Sequence, residues 1–343
     1  MAETRKRKYM HAKTNIMRAA VLENYHSAFK LSEIDRPSVG DRQVLVRVKS
    51  SGTNPLDLKI RSGNAGHAKV TLPAILGIDL AGIVESVGPG VTKFKPGNEV
   101  FGMTGGVGNI PGSLAEYAVV DSDLLAMKPP GFSMKEAAAT PLIFITAWEG
   151  LVDRAKVKRG QKVLIHGGAG GVGHMAVQIA KAFDAEVFAT VSAGQEKIVQ
   201  AFGATAIDYK STSVEQYVAA LTGGEGFDIV YDTVGGATLD NSFHAAKKYT
   251  GHVVSCLGWG THSLAPLSFR AATYSGVFTL LPLLTGEGRA HHGEILYEAA
   301  KLAEEGKLKV LVDPRDFTLD TIEEAYVALE SGKRSGKIVI DIL

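Results

Sequence analysis

Gly168, Gly170 and Gly173 stand in G-x-G-x-x-G spacing, after the apolar run Val163-Leu164-Ile165 and before apolar residues at helical intervals, Val172, Met175, Ala176 and Ile179. Strand, tight turn and helix start in this order suit a dinucleotide pyrophosphate. The first glycine permits the turn, the second lets backbone approach the phosphates, and the third lets helix and strand pack closely. Gly171 and Val172 open the helix, whose free N–H groups and positive end attract the anion. A second signal follows about twenty residues on, where an Asp or Glu would bind a ribose 2′-hydroxyl and repel a 2′-phosphate. The run Glu186-Val-Phe-Ala-Thr-Val191 ends instead in Ser192, and Lys197 stands one turn inside the next helix. A hydroxyl donor and a cation without a carboxylate predict NADPH over NADH. Glu196 is a counterweight, although adjacent helix residues point apart.

Other reactive side chains promise less. His166 closes the strand before the glycines and reads as a core histidine. His291-His292 is assigned no metal, because adjacent side chains do not converge. Cys256 is the single cysteine, which excludes an intramolecular disulfide and a cysteine-rich zinc lobe.

These residues need elements to hold them, and the 343-residue chain has two textures. Between Arg18 and about Met127, short β-rich runs such as 44–49, 82–87 and 116–120 alternate with Gly/Pro turns, which predicts a small antiparallel, barrel-like domain. From about Thr140, strands near 162–166, 187–191, 205–208, 227–231 and 250–255 alternate with helices near 171–183, 194–202, 213–221 and 237–247. That is the signature of βαβ units and a parallel sheet covered on both faces. Another strand is expected near 276–281. A helix near 293–306, a short run at 309–312, a helix capped by Asp320 and a strand at 337–341 then return the chain to the first domain.

Composition is ordinary for a globular protein, with 45% hydrophobic and 21% charged residues. No apolar run approaches the ~20 residues that span a bilayer. The first eighteen residues hold six basic side chains against one acidic, so the rest of a chain of net charge +1 is mildly acidic. Residues 1–16 read as a disordered basic leader, and without a secretory apolar region the expected location is cytoplasmic.

The segments Thr53-Asn-Pro-Leu-Asp57 and Leu76-Gly-Ile-Asp-Leu-Ala-Gly-Ile-Val-Glu-Ser-Val-Gly88, followed by the glycine turn, lie in the order of a known family. Over residues 17–343 the chain resembles the medium-chain dehydrogenase/reductase superfamily, and is similar to its zinc-free quinone oxidoreductase (zeta-crystallin-like) branch. The resemblance implies an α/β fold with two domains. A GroES-like β-barrel catalytic domain is formed by 17–139 and 283–343, and a Rossmann doubly wound parallel sheet by 140–282, with the active site in the cleft. It also implies a homodimer formed through the strand near Gly276 to Leu281.

Zinc-dependent members resemble this chain around Gly52 to Asp57 but carry Cys where Asn54 stands, and their Gly-His-Glu falls on Gly77-Ile78-Asp79. Two of about three catalytic-zinc ligands are therefore replaced, and no metal is expected. What remains is hydride transfer to an electron-poor acceptor whose oxygen gains charge. The resemblance places Asn54 near the nicotinamide ribose and substrate, and leaves Asp57 as a structural acceptor in the Asn-Pro turn. Lys59 stands where quinone reductases of the branch commonly have Tyr, as in alkenal/enone reductases. It reads either as a donor to a developing enolate or as a surface lysine. Thr146, Tyr209, Leu257, Gly258 and Phe278 match positions that line the cofactor.

The expected activity is an NADPH-dependent quinone reductase, with a 2-alkenal/enone double-bond reductase as the alternative. A non-catalytic NADPH-binding or RNA-binding crystallin-like protein is a third reading. The expected partners are a small quinone or enone and a second copy of the chain, with no membrane or nucleic acid.

Overall fold

The computed structural model describes residues 15–343, so all but the last two residues of the basic leader lie outside the described residues. The chain forms two compact units. One comprises the residues up to Pro141 with Leu280–Ala300 and Leu311–Leu343, and the other Leu142–Thr279 with Lys301–Val310.

The first unit opens with β1 (Ile16–Leu22), β2 (Lys30–Asp35), β3 (Gln43–Gly52), β4 (Ala74–Ile75), β5 (Asp79–Val87), β6 (Glu99–Met103), β7 (Tyr117–Asp121) and β8 (Leu125–Met127). β3 forms because Val44, Val46 and Val48, all fully buried, alternate with the half-exposed Arg47 and Lys49. One edge of β3 pairs with β5; the other is shared between β7, along Gln43–Arg47, and the last strand of the chain, along Ser50–Gly52. A separate sheet runs β2-β1-β4. Helix α1 (Pro55–Arg61) leaves the end of β3 with Pro55 in its first turn, where a missing N–H is harmless.

The second unit contributes β9 (Lys162–His166), β10 (Glu186–Val191), β11 (Thr205–Asp208), β12 (Ile229–Asp232), β13 (His252–Ser255) and β14 (Thr273–Gly276). All pair in parallel, in the order β11-β10-β9-β12-β13-β14. The chain therefore winds outward on one side of β9 and then restarts on the other. Ligands of open α/β sheets bind at the carboxyl ends of the strands beside such a reversal. Leu164, Phe188, Phe227, Val230, Phe243 and Val253 form part of a core cluster of this unit. Among the described residues, no helix is long and apolar enough to cross a membrane.

Four features differ from the sequence reading. The last sheet strand is Thr273–Gly276, not 276–281, because His252–Ser255 finds its parallel register there. The apolar run that follows is largely buried but turns into a short helix at Leu281–Thr285, with Pro282 in its first turn. Residues 301–310 join the second unit rather than the chain-end domain, since the Gln178 amide exchanges hydrogen bonds with the Lys309 N–H (2.8 Å) and carbonyl (3.0 Å). The run at 309–312 makes only an isolated bridge, Val312 to Lys337. The chain then closes with β15 (Phe317–Thr318), helix Ile322–Glu330 with Thr321 rather than Asp320 at its cap, and β16 (Val339–Asp341).

Candidate active site

In the second unit the glycine turn follows β9, and helix α2 (Gly171–Ala182) follows it. Gly167, one residue before the motif, carries the positive φ of the turn, +69°. Gly168 meets β10 instead: a Cβ there would stand 2.6 Å from that of Ala189. A Cβ on Gly173 would fall 2.1 Å from the Gly167 carbonyl oxygen, so helix and strand meet there backbone to backbone. Gly170 and Gly171 lie exposed at the crest, and Gly170 caps α2 without a side-chain acceptor. The first N–H groups of the helix thus have no side-chain cap, the arrangement an anion requires.

At the end of β10 the Ser192 hydroxyl lies 3.4 Å from that of Tyr209, which is half exposed. Lys197 is exposed on the next helix. The neighbouring carboxylates are engaged locally: Glu196 accepts the Gly194 N–H at 2.9 Å, and Asp208 accepts from the Lys210 N–H and the Ser211 hydroxyl.

Across the sheet reversal, Asp232 of β12 stands in register with His166 of β9. Fully buried Asp232 accepts from Val234 and Gly235 N–H and from the Ser255 hydroxyl at 2.7 Å, which fixes the loop after β12. His166 is buried beside Thr190, and burial pushes its pKa down to about 4 against the pull of Asp232. It is a neutral core histidine at pH 7. Thr146 donates to the Leu142 carbonyl at 2.6 Å and lies 3.0 Å from the Thr279 hydroxyl. Its carbonyl accepts the Tyr231 hydroxyl at 2.6 Å. Thr279 follows Phe278, whose ring meets that of Trp259 edge-on. Leu257 and exposed Gly258 follow β13, where the Leu257 N–H donates to Ser255. Burial pushes the Cys256 thiol up to about 12, so the thiol form is favoured at neutral pH.

The first unit holds a different kind of site. β16 pairs Val339 with Gly52 of β3, and β5 pairs Asp79 with the same glycine. This three-strand register brings Lys337, Asn54 and Asp79 together. Fully buried Asn54 donates from Nδ2 to Asp79 at 3.0 Å and to the Gly52 carbonyl at 3.3 Å. Its Oδ1 accepts a short hydrogen bond from the Lys337 ammonium, which also contacts Asp79 at 3.3 Å. Burial pushes the Lys337 pKa below the ordinary lysine value, opposed by Asp79 and Asp57.

Asp57 accepts the Asn54 N–H at 2.8 Å, bracing the first turn of α1, and burial raises its pKa to about 7. Lys59, one turn along α1, is exposed and faces His67, whose pKa is lowered by burial and by that charge. The sequence-chosen pair therefore splits, with Asn54 in the interior and Lys59 at the surface. Lys337 was missed. Its only sequence signal is a charge between Gly336 and the apolar run Ile338-Val-Ile340.

A catalytic zinc would need about three Cys, His or carboxylate ligands. The place offers the Asn54 amide, the buried Ile78 side chain and Asp79, whose carboxylate is already paired with an ammonium. These donors do not fit zinc. Among the described residues, no group of three or more His, Cys, Asp or Glu could hold a metal.

Residues 40–130 match the alcohol dehydrogenase GroES-like domain and residues 202–340 the zinc-binding dehydrogenase family. The chain is 35% identical to a 2-methylene-furan-3-one reductase of Solanum lycopersicum, over 90% of this chain and 74% of that protein. It is 32% identical to a chloroplastic NADPH-dependent alkenal/one oxidoreductase of Arabidopsis thaliana, over 94% and 79%. An alcohol dehydrogenase superfamily protein from Novosphingobium aromaticivorans superposes with a TM-score of 0.93 at 55% identity, covering 95% of this chain and all of that one. The quinone oxidoreductase from Coxiella burnetii gives 0.80 at 30%, covering 96% and 100%. The chain belongs to the medium-chain dehydrogenase/reductase superfamily. Within it, the protein is an oxidoreductase of the NAD(P)H-dependent kind.

Proposed function

We propose that this protein is an NADPH-dependent, zinc-independent reductase that transfers hydride to conjugated carbonyl compounds, quinones or α,β-unsaturated ketones and aldehydes. The observation that carries the cofactor choice is the Ser192–Tyr209 hydroxyl pair, with Lys197 exposed on the helix that follows β10 and Glu196 and Asp208 engaged by their own turns. Two donors and a cation suit a 2′-phosphate; a free carboxylate would have repelled it.

When bound, the nicotinamide would supply a hydride to an electron-poor carbon of the acceptor. The glycine turn and the uncapped start of α2 would hold the pyrophosphate. The Thr146–Thr279 hydroxyl pair and Phe278 would shape the nicotinamide side, with Leu257 and Gly258 along the ribose. As charge gathers on the acceptor's oxygen, a cation or donor facing it lowers the barrier, and exposed Lys59 is the candidate. Zinc independence rests on the donor set at Asn54, Ile78 and Asp79, where a buried ammonium already faces the one carboxylate.

Two acceptor classes stay in contention because separate observations favour them. Quinones are named for the Coxiella burnetii structure, and enones for both plant relatives. Steady-state rates with NADPH and NADH against 1,2-naphthoquinone and 2-cyclohexenone, with and without EDTA, decide the matter. We expect NADPH to be preferred on the order of tenfold or more, as loss of charge-assisted phosphate contacts implies, and EDTA to change nothing. A preference for NADH refutes the cofactor reading, and loss of activity in EDTA refutes zinc independence. Binding of NADPH with no turnover of any quinone or enone would favour a non-catalytic role. Among the described residues, β14 is the last strand of the sheet, with no strand on its outer edge, and such edges need covering. A homodimer through Thr273–Gly276 is therefore part of the reading, and a monomer in sedimentation velocity would remove it.

A further inference from the structure

Lys337 is a buried ammonium to which the nucleotide chemistry assigns no task. Its side chain is only 8% exposed and Asp79 is fully buried, so each charge would be strongly penalised without the other. The charged groups that bear on the ammonium are Asp79, Asp57 and Arg334. An ammonium has three N–H donors. One serves Asn54 and one Asp79, and the third has no partner among the described residues.

The geometry also decides which way the Asn54 amide points. With a donor-only ammonium on one side and an acceptor carboxylate on the other, one orientation satisfies both Oδ1 and Nδ2. A flipped amide would set NH2 against NH3+ and a carbonyl oxygen against a carboxylate, losing both bonds at once in a buried site. Asn54 in turn is the cap residue of α1, its backbone N–H held by Asp57 in the first turn. The ammonium therefore anchors the start of the helix that carries Lys59.

We propose that Lys337 is a positioning residue, locking the Asn54 amide and with it the start of α1, and that this lock is required for hydride transfer. The second half rests on the reductase reading above. Lys337→Met alone would take the ammonium away from the buried Asp79 carboxylate and could unfold the unit. The informative variant is therefore Lys337→Met combined with Asp79→Asn, which removes both charges.

The double variant is expected to melt close to the wild type and to bind NADPH, followed by its fluorescence, within about twofold. Its kcat with 1,2-naphthoquinone or 2-cyclohexenone should fall on the order of tenfold or more, the scale of a buried hydrogen bond made to a charged group. A merely structural ion pair would leave kcat at the wild-type value, and that result overturns the proposal. Side-chain amide hydrogen exchange of Asn54, read by NMR, provides an activity-independent arm. The lock predicts slow exchange in the wild type and exchange about tenfold faster or more in the double variant; equal rates overturn it. A wild type inert towards every acceptor would sink the reductase reading alone, leaving the lock to be decided by the exchange rates.

Discussion

The glycine turn of the second unit and the Lys337 cluster of the first are both prepared for charge, by opposite means. The turn works with backbone: exposed Gly170 and Gly171, a helix start without a side-chain cap, and contacts so close that a methyl group would collide. The cluster works with side chains: an ammonium, a carboxylate and an amide that hydrogen-bond one another in a buried place. A backbone cradle keeps its charge when a neighbouring side chain changes, but cannot tolerate added volume. A buried ion pair tolerates volume better than it tolerates the loss of either partner.

The sharpest way to break the contrast is Gly173→Ala. Its Cβ would lie 2.1 Å from a carbonyl oxygen, so strand and helix must separate, an overpacking penalty of about 3 kcal/mol or more. We expect NADPH affinity to fall about a hundredfold or the unit to destabilise outright. Gly170→Ala, whose nearest neighbour would be 3.1 Å away, should retain binding within about tenfold. Equal losses in the two variants, by fluorescence titration, would deny that close backbone packing is what matters.

In the first unit, Asp79→Ala should cost about 3–5 kcal/mol, because it strands the Lys337 charge inside. A urea midpoint unchanged from the wild type would mean that the ammonium finds water.

The pH dependence of stability should have opposite signs at the two sites. Asp57 has its pKa raised to about 7 from 3.8, so the folded state holds the proton more tightly. Its contribution is fully present below about pH 4 and is lost as pH rises through about 7. His166 has its pKa lowered to about 4 from 6.5. Its contribution is present above about 6.5 and is lost as pH falls towards 4. Asp57→Asn should flatten the decline between pH 4 and 7, and His166→Gln the decline on acidification. Urea midpoints across this range, followed separately in the two variants, would contradict the assignment if both slopes moved the same way.

The smallest expected effect is at the exposed cation. Lys197→Ala should raise the KM for NADPH about three- to tenfold and leave the KM for NADH unchanged, since a solvated ion contact contributes about 1 kcal/mol. Equal shifts for both cofactors would remove Lys197 from the phosphate.

Legibility follows the same division. β9, the glycine turn and α2 were readable because strand, turn and helix are contiguous and each announces itself within a few residues. Even there the structure reassigned the turn from Gly168 to Gly167, since φ at a single residue depends on which strand it must clear. The last sheet strand was misplaced because Val277–Leu281 is as apolar as a strand, and only the register with β13 selects Thr273–Gly276. Asn54 stood out in its Asn-Pro turn, but its fully buried state and committed amide were not visible without β5 and β16.

Local order in the sequence determined the glycine turn, the two textures of the chain, and the absence of a carboxylate at Ser192 on which the proposed NADPH preference rests, because each depends on residues close in sequence. The tertiary structure alone decided that Lys337, 283 residues from Asn54, would be its partner. Strand register carries that information: β16 and β5 meet the same glycine of β3 from opposite sides, and no local pattern specifies which distant strands will do so.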